Sequence, residues 1–194
     1  LVMTTDKAFL SRPRRFGKSL LVSLLATLFG KGVDDPAFDG LKIRGLWQEK
    51  QTYKVASLSF APCSSYRSIQ KFELKFSQLI TQGFEPCGFA SQESDLLPLL
   101  GAWGKWLRNQ PDDSLVLLID AYDRPLSEHL HDPEIFNDIR AYLSDFYLTV
   151  KDNQDKFRFI FITGIAKFSK ANLFSGLNNW SDISLLPEFG TLLG

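Results

Sequence analysis

Ala8-Phe-Leu-Ser-Arg-Pro-Arg-Arg-Phe-Gly-Lys-Ser-Leu-Leu21 decides the fold. Ala8, Phe9 and Leu10 form an apolar run that Ser11 ends, and from Gly17 to Phe29 the leucines 20, 21, 24, 25 and 28 recur at helical spacing. The order is strand, loop, helix. The loop from Arg12 to Ser19 meets the last three required positions of the phosphate-binding pattern GxxxxGK[ST], with Arg12 standing where the first glycine belongs. A strand feeding a loop that opens a helix aims backbone N–H groups and the positive helix end at a phosphate. Gly17 lets the backbone approach, Lys18 reaches the outer phosphates, and the Ser19 hydroxyl can ligate magnesium. Arg14, Arg15, Phe16 and Leu20 complete the candidate nucleotide-binding stretch. The arginines read either as solvated loop charges or as extra charge for a nucleotide, in this subunit or a neighbouring one.

Downstream, Leu115-Val-Leu-Leu-Ile-Asp120 is a continuous apolar run closed by an acid, the pattern of a central parallel strand covered on both faces. Asp120 and Ser19 are the candidate magnesium ligands, since that ion takes few direct protein ligands and keeps several waters. Asp123 is the nearest spare carboxylate, although a place just beyond a strand also suits a turn or helix cap.

Between these motifs, residues 55–60 read as a strand closed by Pro62, and residues 68–84 and 94–109 as amphipathic helices. Residues 133–150 predict a helix with Pro133 in its first turn, and residues 157–163 another buried strand, followed by loop or helix from Gly164. Strands alternating with helices predict an α/β fold: a three-layer P-loop NTPase core with a mainly parallel sheet flanked by helices, its site beyond the strand ends at Ser11, Asp120 and Thr163.

Composition sets wider bounds. The chain of 194 residues suits one domain spanning 1–194. Lys plus Arg and Asp plus Glu are 22 each, so no overall field favours nucleic acid or an anionic membrane. Cys63 and Cys87 make neither a disulfide framework nor a metal spacing. No apolar run approaches the roughly 18 residues of a membrane helix, and a cytoplasmic location is expected. The chain opens on Leu1 with a strand close behind and stops in an apolar stretch, so we expect residues to be missing at both ends.

Other clusters carry less chemistry. His129, His131 and Asp132 sit in a loop-like segment before a helix, where their side chains need not converge on a metal. Trp103 and Trp106, with Leu99 and Leu100, fall at helical spacing and read as core. Arg67, Lys71 and Lys75 beside Phe72 and Phe76 read as solvated cations along a buried face. Ser64, Ser65 and Tyr66 lack a paired histidine or acid for nucleophilic catalysis.

On these motifs the sequence resembles the bacterial AAA-ATPase-like family often fused to a nuclease-like domain of the PD-(D/E)XK type. Residues 9–20 match its signature loop, in which the first glycine is likewise replaced, and Leu118-Ile-Asp-Ala-Tyr-Asp-Arg-Pro125 is similar to its Asp-Glu-Tyr-Asp-Lys-Pro segment. Residues 161–170, with Asn172 to Asn179 and Asp182, resemble its third block, where Thr163 would be the polar sensor of the terminal phosphate and Lys167 and Ser169 weaker candidates. The resemblance implies ATP and Mg2+ as ligands, Asp120, Asp123 and Thr163 as catalytic candidates, and a lid or neighbouring subunit that completes the site. It allows contact with nucleic acid only through a fused domain. Ala121 departs from the pattern, which has the water-activating glutamate there. Loss of a general base slows hydrolysis by about 10²–10⁴. Two readings follow: a weak ATPase, or a non-hydrolysing nucleotide-binding interaction module. A nucleoside kinase is a third, but residues 151–158 are too short and mixed for its arginine-bearing lid.

Overall fold

The computed structural model describes residues 1–2, 5–63, 68–166 and 180–187. Ser64, Ser65, Tyr66, Arg67, Lys167, Ser169 and the stretch from Asn172 to Asn179 lie outside the described residues.

Among the described residues, five strands form one parallel sheet in the order β2-β3-β4-β1-β5. They are β1 (Lys7–Ser11), β2 (Lys54–Ser59), β3 (Leu115–Asp120), β4 (Phe157–Gly164) and the two-residue β5 (Ser181–Asp182). The connections hold α1 (Lys18–Lys31), the single turn α2 (Ile43–Leu46), α3 (Ile69–Phe84), α4 (Leu96–Arg108), the single turn α5 (Arg124–Ser127) and α6 (Pro133–Asp152). This is a three-layer α/β fold consistent with a P-loop NTPase core. All six residues of β3 are buried, which is why that strand reads as an unbroken apolar run.

Strand alternation divides the core. Leu115, Leu117 and Ile119 join the layer of α3, α4 and α6, where Trp103 stacks on Phe146 at 5.0 Å between ring centroids. Val116 and Leu118 face the opposite layer with Val22, Leu25 and Phe29 of α1. The same parity places Asp120 on the α1 side. Gly83 lets α3 lie close on β2, since a Cβ there would come within 3.0 Å of the Leu58 side chain.

Local rules account for the ends. α6 begins at Asp132, whose carboxylate accepts the Ile135 N–H at 3.2 Å with Pro133 in the first turn. α1 ends at Gly32, whose φ of 87° is left-handed. The buried face of α1 is Val22, Leu25, Leu28 and Phe29, whereas Leu20 is 64% exposed. At about 100° per residue Leu20 lies roughly 150° from the centre of that face, nearly opposite it, so the leucine stripe read from the sequence coincides with the buried face only in part. β5 carries no apolar run and was not expected.

Cys63 and Cys87 are both buried thiols, and burial pushes the Cys87 thiol up to about 11. No helix among the described residues is long and apolar enough to cross a membrane.

Candidate functional site

Because the strands are parallel, Ser11, Asp120 and Gly164 end on one edge of the sheet, and the loops that leave them build the site. Between β1 and α1 the chain turns back through two left-handed residues, Arg15 (φ 67°) and Gly17 (φ 69°). Such turns bring successive N–H groups toward a common point. Gly17 is the N-cap of α1; among the described residues no side chain caps the helix, and no acid of the helix itself lies in its first turn, so no capping side chain competes for its leading amides.

Lys18 folds across this loop, its ammonium donating to the carbonyl oxygens of Arg12 (2.9 Å) and Pro13 (2.7 Å). Burial holds its pKa below the ordinary lysine value; Asp120 and Asp123 pull it back up and Arg14 lowers it further. The Ser19 hydroxyl donates to Asp120 Oδ2 at 2.5 Å, so the start of α1 and the end of β3 meet although β4 separates β3 from β1 in the sheet. Asp120 is only 9% exposed.

The exit of β4 is held from both sides. Toward β1, Thr163 Oγ1 donates to the Leu10 carbonyl (2.8 Å), the Arg12 N–H to the Gly164 carbonyl (3.2 Å), and Ser11 Oγ to the Ile165 carbonyl (2.8 Å). The Ser11 N–H in turn donates to Ser184 Oγ beyond β5 at 2.8 Å. Toward β3, the Tyr122 N–H donates to the Thr163 carbonyl (3.1 Å) and the Tyr122 hydroxyl to the Ala166 carbonyl (2.7 Å). The Asp123 carboxylate accepts the N–H of Ile165 (3.2 Å) and of Ala166 (2.9 Å). Ala121 makes this corner by taking φ 56°, a left-handed value that turns the chain from β3 across the end of β4.

Gly164 is what lets the corner close. A Cβ there would sit 2.5 Å from Asp123 Oδ1 and 2.6 Å from the Tyr122 ring.

Set against the sequence expectations, Lys18, Ser19 and Asp120 come together, while Arg14, Arg15, Phe16 and Leu20 line the exposed side of the loop. Asp123 and Thr163 stand behind them. Thr163 is wholly buried with its hydroxyl on Leu10, and a role at a terminal phosphate requires that bond to break. Asp123 is 3% exposed and, though it stands at the N-cap position of α5, it caps the turn after β4 instead. His129 is buried with Nδ1 2.7 Å from the Pro125 carbonyl, and Asp132 serves α6. Among the described residues no group of three histidine, cysteine or acidic side chains could hold a metal. Tyr122 and Gly164 were not singled out beforehand, and Ser11 was read only as a strand end on the site edge, without its hydrogen-bonding role. The one available signal was their place at strand ends already read as the site edge.

A family model described as "Predicted AAA-ATPase" matches residues 1–174. An uncharacterized protein in the vnfD 5' region of Azotobacter chroococcum mcd 1 is 37% identical over 186 residues, which is 96% of this chain and 36% of that protein's length. The chain thus spans little more than a third of this relative. No solved structure gives a significant match.

Proposed function

Because the chain belongs to the AAA-ATPase-like family of P-loop NTPases, for which nucleotide binding is the general expectation, we propose that it binds ATP with magnesium at the junction of α1 and β3 and hydrolyses it slowly at most. The observation that carries this reading is the 2.5 Å contact of the Ser19 hydroxyl with Asp120. An alcohol and a carboxylate touching beside uncapped helix amides and an ammonium group form the donor set that suits a triphosphate and a hard cation.

In this reading Ser19 and Asp120 hold the metal, which when bound supplies positive charge to the outer phosphates. Lys18 exchanges the carbonyls of Arg12 and Pro13 for phosphate oxygens. The amides of Gly17, Lys18, Ser19 and Leu20 receive the inner phosphates, and Arg14, Arg15 and Phe16 flank the nucleotide.

Titration with a fluorescent ATP analogue tests it. Lys18→Ala removes a charge-assisted contact worth about 1.5–3 kcal/mol and weakens binding by about 10–100-fold. Asp120→Asn abolishes the magnesium dependence. Binding indifferent to both substitutions defeats the proposal.

A second reading, a module that holds nucleotide without turning it over, is favoured by the pairing of Ala121 with Asp123. Position 121 offers no carboxylate, and both oxygens of Asp123 already accept backbone N–H groups. Ala121→Glu supplies the absent base and is expected to raise turnover by about 10²-fold. Brisk hydrolysis by the native chain, with no gain in the variant, would sink this second reading.

A further inference from the structure

Ile165 joins the two halves of the site: its N–H donates to Asp123 in the turn after β3, and its carbonyl accepts the Ser11 hydroxyl at the mouth of the phosphate loop. One residue to either side, the bridge is doubled. The Gly164 carbonyl accepts the Arg12 N–H, and Ala166 is gripped at its N–H by Asp123 and at its carbonyl by the Tyr122 hydroxyl. β3 and β1 are not neighbours in the sheet; each pairs with β4, and beyond the strand ends the strap across the exit of β4 continues that link from Asp123 to the start of the phosphate loop.

We propose that Asp123 is a positioning residue: through the Gly164 to Ala166 strap it sets the gap between the phosphate loop and Asp120, and so the affinity for the metal–nucleotide pair. The proposal rests on the reading of this edge as a nucleotide site, but its mechanical half does not. Three facts separate it from an ordinary buried acid. Asp123 uses its carboxylate on amides of another strand's exit rather than on α5, where a cap would normally act. Gly164 removes the one Cβ that would push the strap away. The far end of the strap lands on Ser11 and Arg12, the residues from which the phosphate loop departs.

Asp123→Asn is the incisive change, because the amide keeps the shape but turns an NH2 group toward donors that need acceptors. Tyr122→Phe is a milder companion that keeps the ring and removes the bond to the Ala166 carbonyl. Amide hydrogen exchange followed by NMR in the nucleotide-free protein is the first readout. Exchange is expected to accelerate by about 10-fold at Arg12 as well as at Ile165 and Ala166, the loss of roughly one hydrogen bond's worth of protection. The second readout is the magnesium concentration that half-saturates binding of the fluorescent ATP analogue, expected to rise by about 5–10-fold in Asp123→Asn and less in Tyr122→Phe. Leu143→Ala, a buried core residue of α6 that takes no part in the strap's hydrogen bonds, is the control for general destabilisation.

Acceleration confined to Ile165 and Ala166 overturns the proposal, as does an equal response at Arg12 in Leu143→Ala. If the native protein fails to bind the analogue, the functional reading falls while the exchange data still decide the strap.

Discussion

Asp120 and Asp123 lie three positions apart in one turn, and their surroundings make them opposites. Asp120, at the front of the site, has one side-chain hydrogen bond among the described residues, from a serine hydroxyl that can rotate away. Asp123, at the back corner, accepts backbone N–H groups from Ile165 and Ala166, which have no freedom to leave without moving the chain. An acid held by an exchangeable partner is available for chemistry; an acid held by amides is part of the frame. The difference teaches that proximity to a site edge does not assign a role: the identity of the donor does.

The sharpest way to break the contrast is Gly164→Ala. Its new methyl would press on both Asp123 and the Tyr122 ring, and neither can yield easily, one being held by amides and the other fully buried. Overpacking of this kind costs about 1–3 kcal/mol. Thermal unfolding should drop by about 3–10 °C. Asp120→Asn, at the front, should leave the melting temperature within about 2 °C, because the amide oxygen can still accept from Ser19. Equal losses in the two variants would show that front and corner are one structural unit and that the distinction between the acids is false.

The front was legible in the sequence and the corner was not, for a physical reason. Lys18, Ser19 and Asp120 announce themselves by residue type: an ammonium after a glycine, a hydroxyl at a helix start and an acid closing an apolar run have few other uses in that order. The central strands were equally plain, because β3 is covered on both faces and β4 nearly so, which leaves Leu115 to Ile119 and Phe159 to Ile162 as unbroken apolar runs. The partners of Asp123 are backbone amides 42 and 43 positions downstream, and every residue except proline carries one. Nothing in the side chains of Ile165 or Ala166 marks them. Thr163 shows the same blindness, since its acceptor is the backbone carbonyl of Leu10. β5 escaped because two residues are too few to show a period.

Ala121 is the hinge between front and corner, and it carries the smallest effect. Its φ of 56° lies where a Cβ crowds the following carbonyl, at a cost of about 1–2 kcal/mol. Any non-glycine residue bears most of that cost, glutamate included. The alanine that stands where the resemblance implies an acid is therefore a difference in chemistry and not a relief of backbone strain, and Ala121→Glu can be compared with the native chain at nearly equal stability. Ala121→Gly removes the crowding but gives the unfolded chain more freedom, which takes back about 0.5–1 kcal/mol. The net gain should lie between about 0 and 1.5 kcal/mol, a melting temperature raised by up to about 6 °C. A lowered melting temperature would mean that the methyl of Ala121 packs against its neighbours strongly enough to outweigh the strain, and that the hinge belongs to the rigid corner rather than standing between it and the front.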